Sequence, residues 1–151
     1  MSLTESNDAS RARLEAFVRG LTDEELRRPV PYGGGTVAAL LAHLALYDRR
    51  VTVLLRRWVA AGEVDDSPLD ADMTNDAVAP ILAALEPRVA AELCLQAAAE
   101  ADAEVAALSP EMVAAIEQAM AEGKVFMRLD RGLHRAGHLG DMEKVVGTVG
   151  R

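Results

Sequence analysis

At 151 residues the chain fits one domain, long enough to bury about two thirds of its unfolded surface. Sixteen Lys and Arg against 24 Asp and Glu leave a formal charge of −8 and a pI near 4.9, a balance that repels phosphate backbones. Aromatic residues make up 3%, too few for a basic–aromatic stacking platform, so no nucleic-acid partner is expected. Cys94 is the one cysteine, which rules out an intrachain disulfide and fits a reducing compartment. No charged-then-apolar leader opens the chain, and the best apolar run, Val37 to Tyr47, falls short of the roughly 20 residues that span a bilayer. A cytoplasmic protein with no membrane partner is therefore expected. Arginine supplies nearly all the positive charge, Lys124 and Lys144 being the two lysines, a bias common in GC-rich bacterial genomes.

In chain order, Leu14, Phe17, Val18 and Leu21 recur at i, i+3, i+4 and i+7, an amphipathic helical stripe. Thr22-Asp23-Glu24-Glu25 reads as a capping box opening one short turn, which Pro29 and Pro31 end. Gly33-Gly34-Gly35 reads as a flexible loop, without the Lys-Ser/Thr that would make it a phosphate cradle. Thr36 suits the N-cap of a long helix that carries His43 and runs to about Ala61, where Gly62 stops it. Glu63 to Asp72 reads as a solvated acidic connection. A helical stretch is expected from about Thr74, interrupted at Pro80 and Pro87 and continuing through an alanine-rich run to Leu108. Pro110 restarts a shorter helix, which Gly123 breaks. The last helix is expected from about Lys124 to Val146, ending at Gly147. No sustained β alternation appears. The pattern predicts an all-α fold, a four-helix bundle with short extra helical turns in the connections, as a single domain over 1–151.

His134 and His138 are four residues apart, which stacks both imidazoles on one helix face. His43 interrupts an apolar helical run, and a buried ring without a partner costs roughly 1–3 kcal/mol. His43 as a satisfied core residue beside an inert surface pair is one reading. The other brings three nitrogen donors from two facing helices to one metal ion with coordination positions left open, the arrangement of catalytic sites. Every histidine in the chain enters that triad.

The helical step places Met127, Asp130, His134, His138, Asp141 and Val145 on one stripe, and Leu40, His43, Tyr47 and Arg50 on another. Asp130 and Asp141 thus either orient the histidine rings as acceptors or pair locally with arginines as solvated charges. Tyr47 and Arg50 are expected ligand contacts, and Asp48 points away from His43. Cys94, in Leu93-Cys94-Leu95, reads as an inert core thiol. Met112, Met120, Met127 and Met142 read as core filler. No G-x-S-x-G, P-loop, G-x-G-x-x-G or H-E-x-x-H occurs.

Thr36-Val37-x-x-Leu40-Leu41-x-His43-Leu44, then Thr74-Asn75-Asp76-Ala77, then Arg128-Leu129-Asp130-Arg131-x-Leu133-His134-Arg135-x-x-His138-Leu139 together resemble the DinB/YfiT-like superfamily. The resemblance covers about Leu14 to Val146. It implies a four-helix bundle with a three-histidine divalent metal site, and maps His43, His134 and His138 onto the ligands. Zinc, nickel, iron and manganese all fit such a site. Two departures stand out. Many relatives have a tryptophan where this chain has Gly35, and the related mycothiol-dependent maleylpyruvate isomerases carry an extra C-terminal domain that is not expected here.

The resemblance implies a small-molecule substrate, a homodimer, and an enzyme using mycothiol, bacillithiol or glutathione as co-substrate for S-transfer or isomerisation. A metal-dependent hydrolase and a non-catalytic metal-binding stress-response bundle are the alternatives.

Overall fold

Capping chemistry written into the sequence sets most helix boundaries in the computed structural model, which describes residues 1–31 and 35–147. Ser2 and Glu5 form a reciprocal capping box at the start of α1 (Leu3–Arg19), and Thr22 with Glu25 forms another at α2 (Asp23–Leu26). The Thr36 hydroxyl accepts from the Ala39 amide and opens α3 (Val37–Ala61), which Gly62 closes at φ +74°, a left-handed conformation that favours glycine. Asp70 caps α4 (Ala71–Ala83). Pro87 and Pro110 occupy the first turns of α5 (Pro87–Ala106) and α6 (Pro110–Ala121), where a missing amide proton costs nothing. The last helix is α7 (Gly132–Val146). Of the expected triple-glycine loop, Gly33 and Gly34 lie outside the described residues.

The fold is all-helical, and the described residues contain two isolated β-bridges and no strand. Packing runs α3 on α5, α5 on α1, α1 on α7 and α7 on α3, a ring of four long helices with α2, α4 and α6 in the connections.

Two boundaries differ from expectation. Pro80 does not interrupt α4 but sits within it. No residue of α4 is buried, and Asp76, whose carbonyl loses its usual partner to the proline, lies at the exposed surface where water is available. The last helix starts at Gly132 rather than near Lys124. Residues 125–130 instead lie outside any helix and Arg131 is the αR N-cap of α7, with Val125, Met127, Leu129 and Arg131 buried and Phe126 and Arg128 exposed, an alternation of period two. Ser67 holds the segment through backbone bonds to the Lys124 carbonyl (2.8 Å) and the Phe126 amide (3.1 Å). The buried Asn7 side chain donates to the Leu129 carbonyl at 3.0 Å and accepts from the Arg131 amide at 2.9 Å.

The core has two apolar clusters. One gathers Leu14, Phe17, Leu41, Leu44, Leu139 and Met142; the other gathers Val51, Leu55, Trp58, Val105, Ile116 and Leu129. A buried polar layer draws together α1, α3, α5 and the start of α7. Arg135 makes a bidentate pair with Asp102 (2.8 and 2.9 Å) and also donates to Asp48 at 3.2 Å. Asp48 takes a further bond from Arg131 Nε at 2.8 Å, and Asp102 faces Arg11 at 3.1 Å. Such a layer is strongly destabilised when one partner is removed, because an uncompensated charge stays behind in the core.

Asp102→Ala is therefore expected to lower unfolding free energy by about 3–5 kcal/mol. Glu100→Ala, which breaks an exposed pair with Arg49, should cost less than about 1 kcal/mol. Urea unfolding of both variants checks this, and equal losses would show that the layer carries no special weight.

Candidate metal centre

α3 presents His43 and, one turn on, Tyr47; α7 presents His134 and His138 one turn apart. Because α7 packs against α3, the three imidazoles converge. One nitrogen from each lies within 4.8 Å of the others, so the cluster can hold a metal ion. Ring centroids are 5.3 Å apart for His43–His134 and 4.8 Å for both His43–His138 and His134–His138.

All three rings are held neutral at pH 7. Burial pushes His43 down to about 4, with the neighbouring His138 adding to the effect. Burial pushes His134 down to about 3, reinforced by His138, Arg131, His43 and Arg135. Burial also lowers His138, partly opposed by Asp141. Neutral imidazole is the ligand form, so this donor set, nitrogen only and with lone pairs available, fits a borderline divalent ion.

The cluster lines a cavity of about 540 Å³ bounded by α3, the start of α4 and the 125–131 segment. A second cavity, about 720 Å³, is lined by the first turns of α3 and by α4 and shares His43 and Asn75 with the first. Tyr47 packs its ring 4.9 Å from His43 and 5.4 Å from His134, and its hydroxyl donates to Asn75 Oδ1 at 2.6 Å. Asn75, which carried part of the family resemblance, thus belongs to the cavity wall.

The other expected site residues separate. Asp141 faces the cluster, its Oδ2 3.9 Å from His138 Nδ1 and its Oδ1 3.4 Å from Lys144 Nζ. Asp130 does not flank the histidine pair: it lies before α7, where Oδ1 accepts from the Gly132 amide at 2.9 Å and Oδ2 from the Ser6 hydroxyl at 3.3 Å. The helix that would have aligned it with His134 has not yet begun. Arg50 lines the cavity but spends its donors on the Ser67 carbonyl (2.9 Å) and the Phe126 carbonyl, pinning two loops to α3. Cys94 is buried, and desolvation pushes its thiol up to about 12, so it is inert.

Sequence reasoning missed Arg131 and Arg135. Asp48 does point away from His43, but into the core rather than to solvent. A second i, i+4 pair beside the histidine pair was the available signal.

A pH dependence follows. The three histidines are the chain's only side chains that ordinarily titrate near 6.5. As pH falls below that value the unfolded chain takes up protons first, while folded His43 and His134 resist until about 4 and 3. Stability is therefore full above about 6.5 and lost progressively as pH falls towards the folded values. The urea midpoint of the metal-free protein should drop between pH 7.5 and pH 5, with a flatter slope in His134→Asn; identical midpoints would contradict neutral burial.

The sequence model of the family described as mycothiol maleylpyruvate isomerase N-terminal domain matches residues 8–129. The matched region contains His43 and stops short of His134 and His138. No curated protein and no solved structure matches the chain. With the greater part of its length matched, the chain belongs to the mycothiol maleylpyruvate isomerase N-terminal domain family, within the DinB/YfiT-like superfamily.

Proposed function

We propose that this chain is a divalent-metal-dependent enzyme that activates a low-molecular-weight thiol for S-transfer or thiol-assisted isomerisation. The observation that carries the reading is the convergence of three neutral imidazoles on an open cavity rather than in a sealed core. A structural site closes its coordination with four protein ligands, whereas this one offers three and faces space for a small molecule. The family is named for a mycothiol enzyme, which supports a thiol co-substrate over water; mycothiol, bacillithiol and glutathione are the candidates.

In this reading His43, His134 and His138 hold the ion, with zinc, nickel, iron and manganese all compatible. A bound divalent ion supplies positive charge that lowers the pKa of a thiol towards neutrality. The protein's own groups do the rest. Asp141 sits on the far side of His138 and biases its ring orientation. Tyr47, fixed by Asn75, presents a hydroxyl oriented at the cavity wall beside His43. Arg50 holds the 67 and 126 loops in place around the mouth. Among the described residues no carboxylate lines the cavity that holds all three histidines, Asp72 and Asp76 lining the adjoining one instead, which fits attack by a ready-made thiolate better than activation of water. The thiol co-substrate suits a reducing cytoplasm. Among the described residues no helix is long and apolar enough to cross a membrane.

Metal analysis of purified protein should give about one divalent ion per chain, with each of His43→Ala, His134→Ala and His138→Ala reducing occupancy sharply. In a cobalt-substituted form, added thiol should produce a sulfur-to-metal charge-transfer band that disappears in His134→Ala. Thiol-insensitive spectra with turnover of esters or amides would replace this reading by hydrolysis. Neither response, together with collapse of the fold on chelation, would make the ion structural.

A homodimer is part of the same proposal, supported by apolar side chains left exposed on α4 and α5, namely Met73, Ile81, Val89 and Leu93. Light scattering should give twice the 16.1 kDa chain mass; a single-chain mass across a wide concentration range would overturn it.

A further inference from the structure

The wall of the histidine cavity has a charge that a metal site alone does not explain. In a chain of net charge −8, its lining among the described residues holds three arginines, Arg50, Arg128 and Arg131, and no aspartate or glutamate. Arg11, Arg13, Arg49, Arg56 and Arg88 each face a carboxylate, as Arg131 does with Asp48, whereas Arg50 and Arg128 face none among the described residues.

Arg131 is 4% exposed, deeply set, and held rigidly. Its Nε donates to Asp48 at 2.8 Å and its Nη1 to the Arg128 carbonyl at 3.1 Å. Its Nη2 has no hydrogen bond or ion pair among the described residues, and the residue borders the cavity. The Arg128 side chain, exposed at the same wall, likewise makes neither among the described residues. Arg50 is bonded only to uncharged carbonyls, so its charge is unbalanced locally. Burial lowers its pKa; Tyr47 opposes that shift, and the like charge of Arg131 adds to it. Behind the wall, Asp8, Asp48 and Asp102 are three carboxylates against three guanidinium groups, Arg11, Arg131 and Arg135, so that layer is balanced and the uncompensated charge of the wall is that of Arg50 and Arg128.

A positively charged, half-enclosed wall with a fixed guanidinium edge binds planar anions well, because the fork geometry matches a carboxylate and desolvation strengthens the bond. We propose that Arg128 and Arg131 form an anion subsite beside the histidine cluster, and that the ligand reacting there carries a carboxylate. Arg131 supplies the rigid edge, Arg128 closes over the anion from the mouth, and Arg50 contributes charge without a direct bond. The subsite selects among small molecules by charge, a discrimination that the histidines cannot make. It rests on the thiol-dependent reading only in assigning that carboxylate to a reacting molecule.

The test uses the cobalt-loaded protein and three thiols of similar length, 3-mercaptopropionate, 2-mercaptoethanol and cysteamine, followed by their charge-transfer bands. 3-Mercaptopropionate should bind roughly tenfold more tightly than 2-mercaptoethanol, with cysteamine weakest. That ratio should fall to near one in Arg128→Ala and persist in part in Arg128→Lys. Arg128 is exposed, so the fold tolerates both changes, and circular dichroism verifies it.

Equal binding of the charged and neutral thiols in the parent would overturn the subsite while leaving the metal reading intact. If no thiol produces a band, the thiol-dependent reading fails and calorimetry of the metal-free protein with glutarate decides the subsite. Saturable glutarate binding that Arg128→Ala removes would uphold it, and no binding would overturn it. Binding of inorganic phosphate without glutarate would overturn the carboxylate assignment.

Discussion

The guanidinium of Arg135 lies between Asp102 and Asp48, and the position of α7 depends on that contact. Asp102 belongs to α5 and Asp48 to α3, while Ser10 on α1 accepts from Arg135 Nη1 at 3.2 Å, so one side chain joins all four bundle helices. Two apolar clusters alone would tolerate sliding of a short helix. A buried, bidentate ion pair does not, since any shift of a few ångströms leaves a charge unpaired in low dielectric. α7 is short and its glycines, Gly132, Gly137 and Gly140, weaken its intrinsic helicity, which makes the polar anchor the more necessary.

That anchor also aims the site. His134 and Arg135 are adjacent residues, and a step of about 100° turns one into the core when the other faces the cavity. Arg131 with Arg135, and His134 with His138, are two i, i+4 pairs on neighbouring faces of the same chain segment. Fixing the arginines in the polar layer therefore fixes the imidazoles against His43. The cluster is prepared without its own hydrogen-bond scaffold being extensive. The same arginines lower the His134 pKa after burial has done most of the work, so the core network keeps a donor ring neutral.

α4 stands in contrast. None of its residues is buried, it packs chiefly on α3, and the Tyr47–Asn75 bond ties it to the cavity wall. Two cavities are lined by α4 and α3 together, meeting at His43 and Asn75. The rigid half of the site thus comes from the polar layer and the weakly held half from a surface helix, a division that suits binding of small molecules next to fixed donors.

Much of this was local enough to be read from the chain. Ser2 and Thr22 capping boxes, Thr36 and Gly62 at the ends of α3, and prolines at the starts of α5 and α6 act within one turn, so sequence alone determined those boundaries. The i, i+4 spacing of His134 and His138 likewise determined that they share a face. The segment from Lys124 to Arg131 was different. Its alternation of buried and exposed residues competes with a helical reading of the same letters, and pairing with Ser67 and Asn7, distant in sequence, resolved it. Tertiary structure therefore removed Asp130 from the histidine face and brought Arg131 to the cavity. The convergence of His43 with the pair on α7 was also beyond sequence, because it depends on the register of two helices some ninety residues apart. That register is set by Asp48, Asp102 and Arg135, charges whose burial no local pattern reveals, since an aspartate and an arginine read as solvated until the fold supplies their partners.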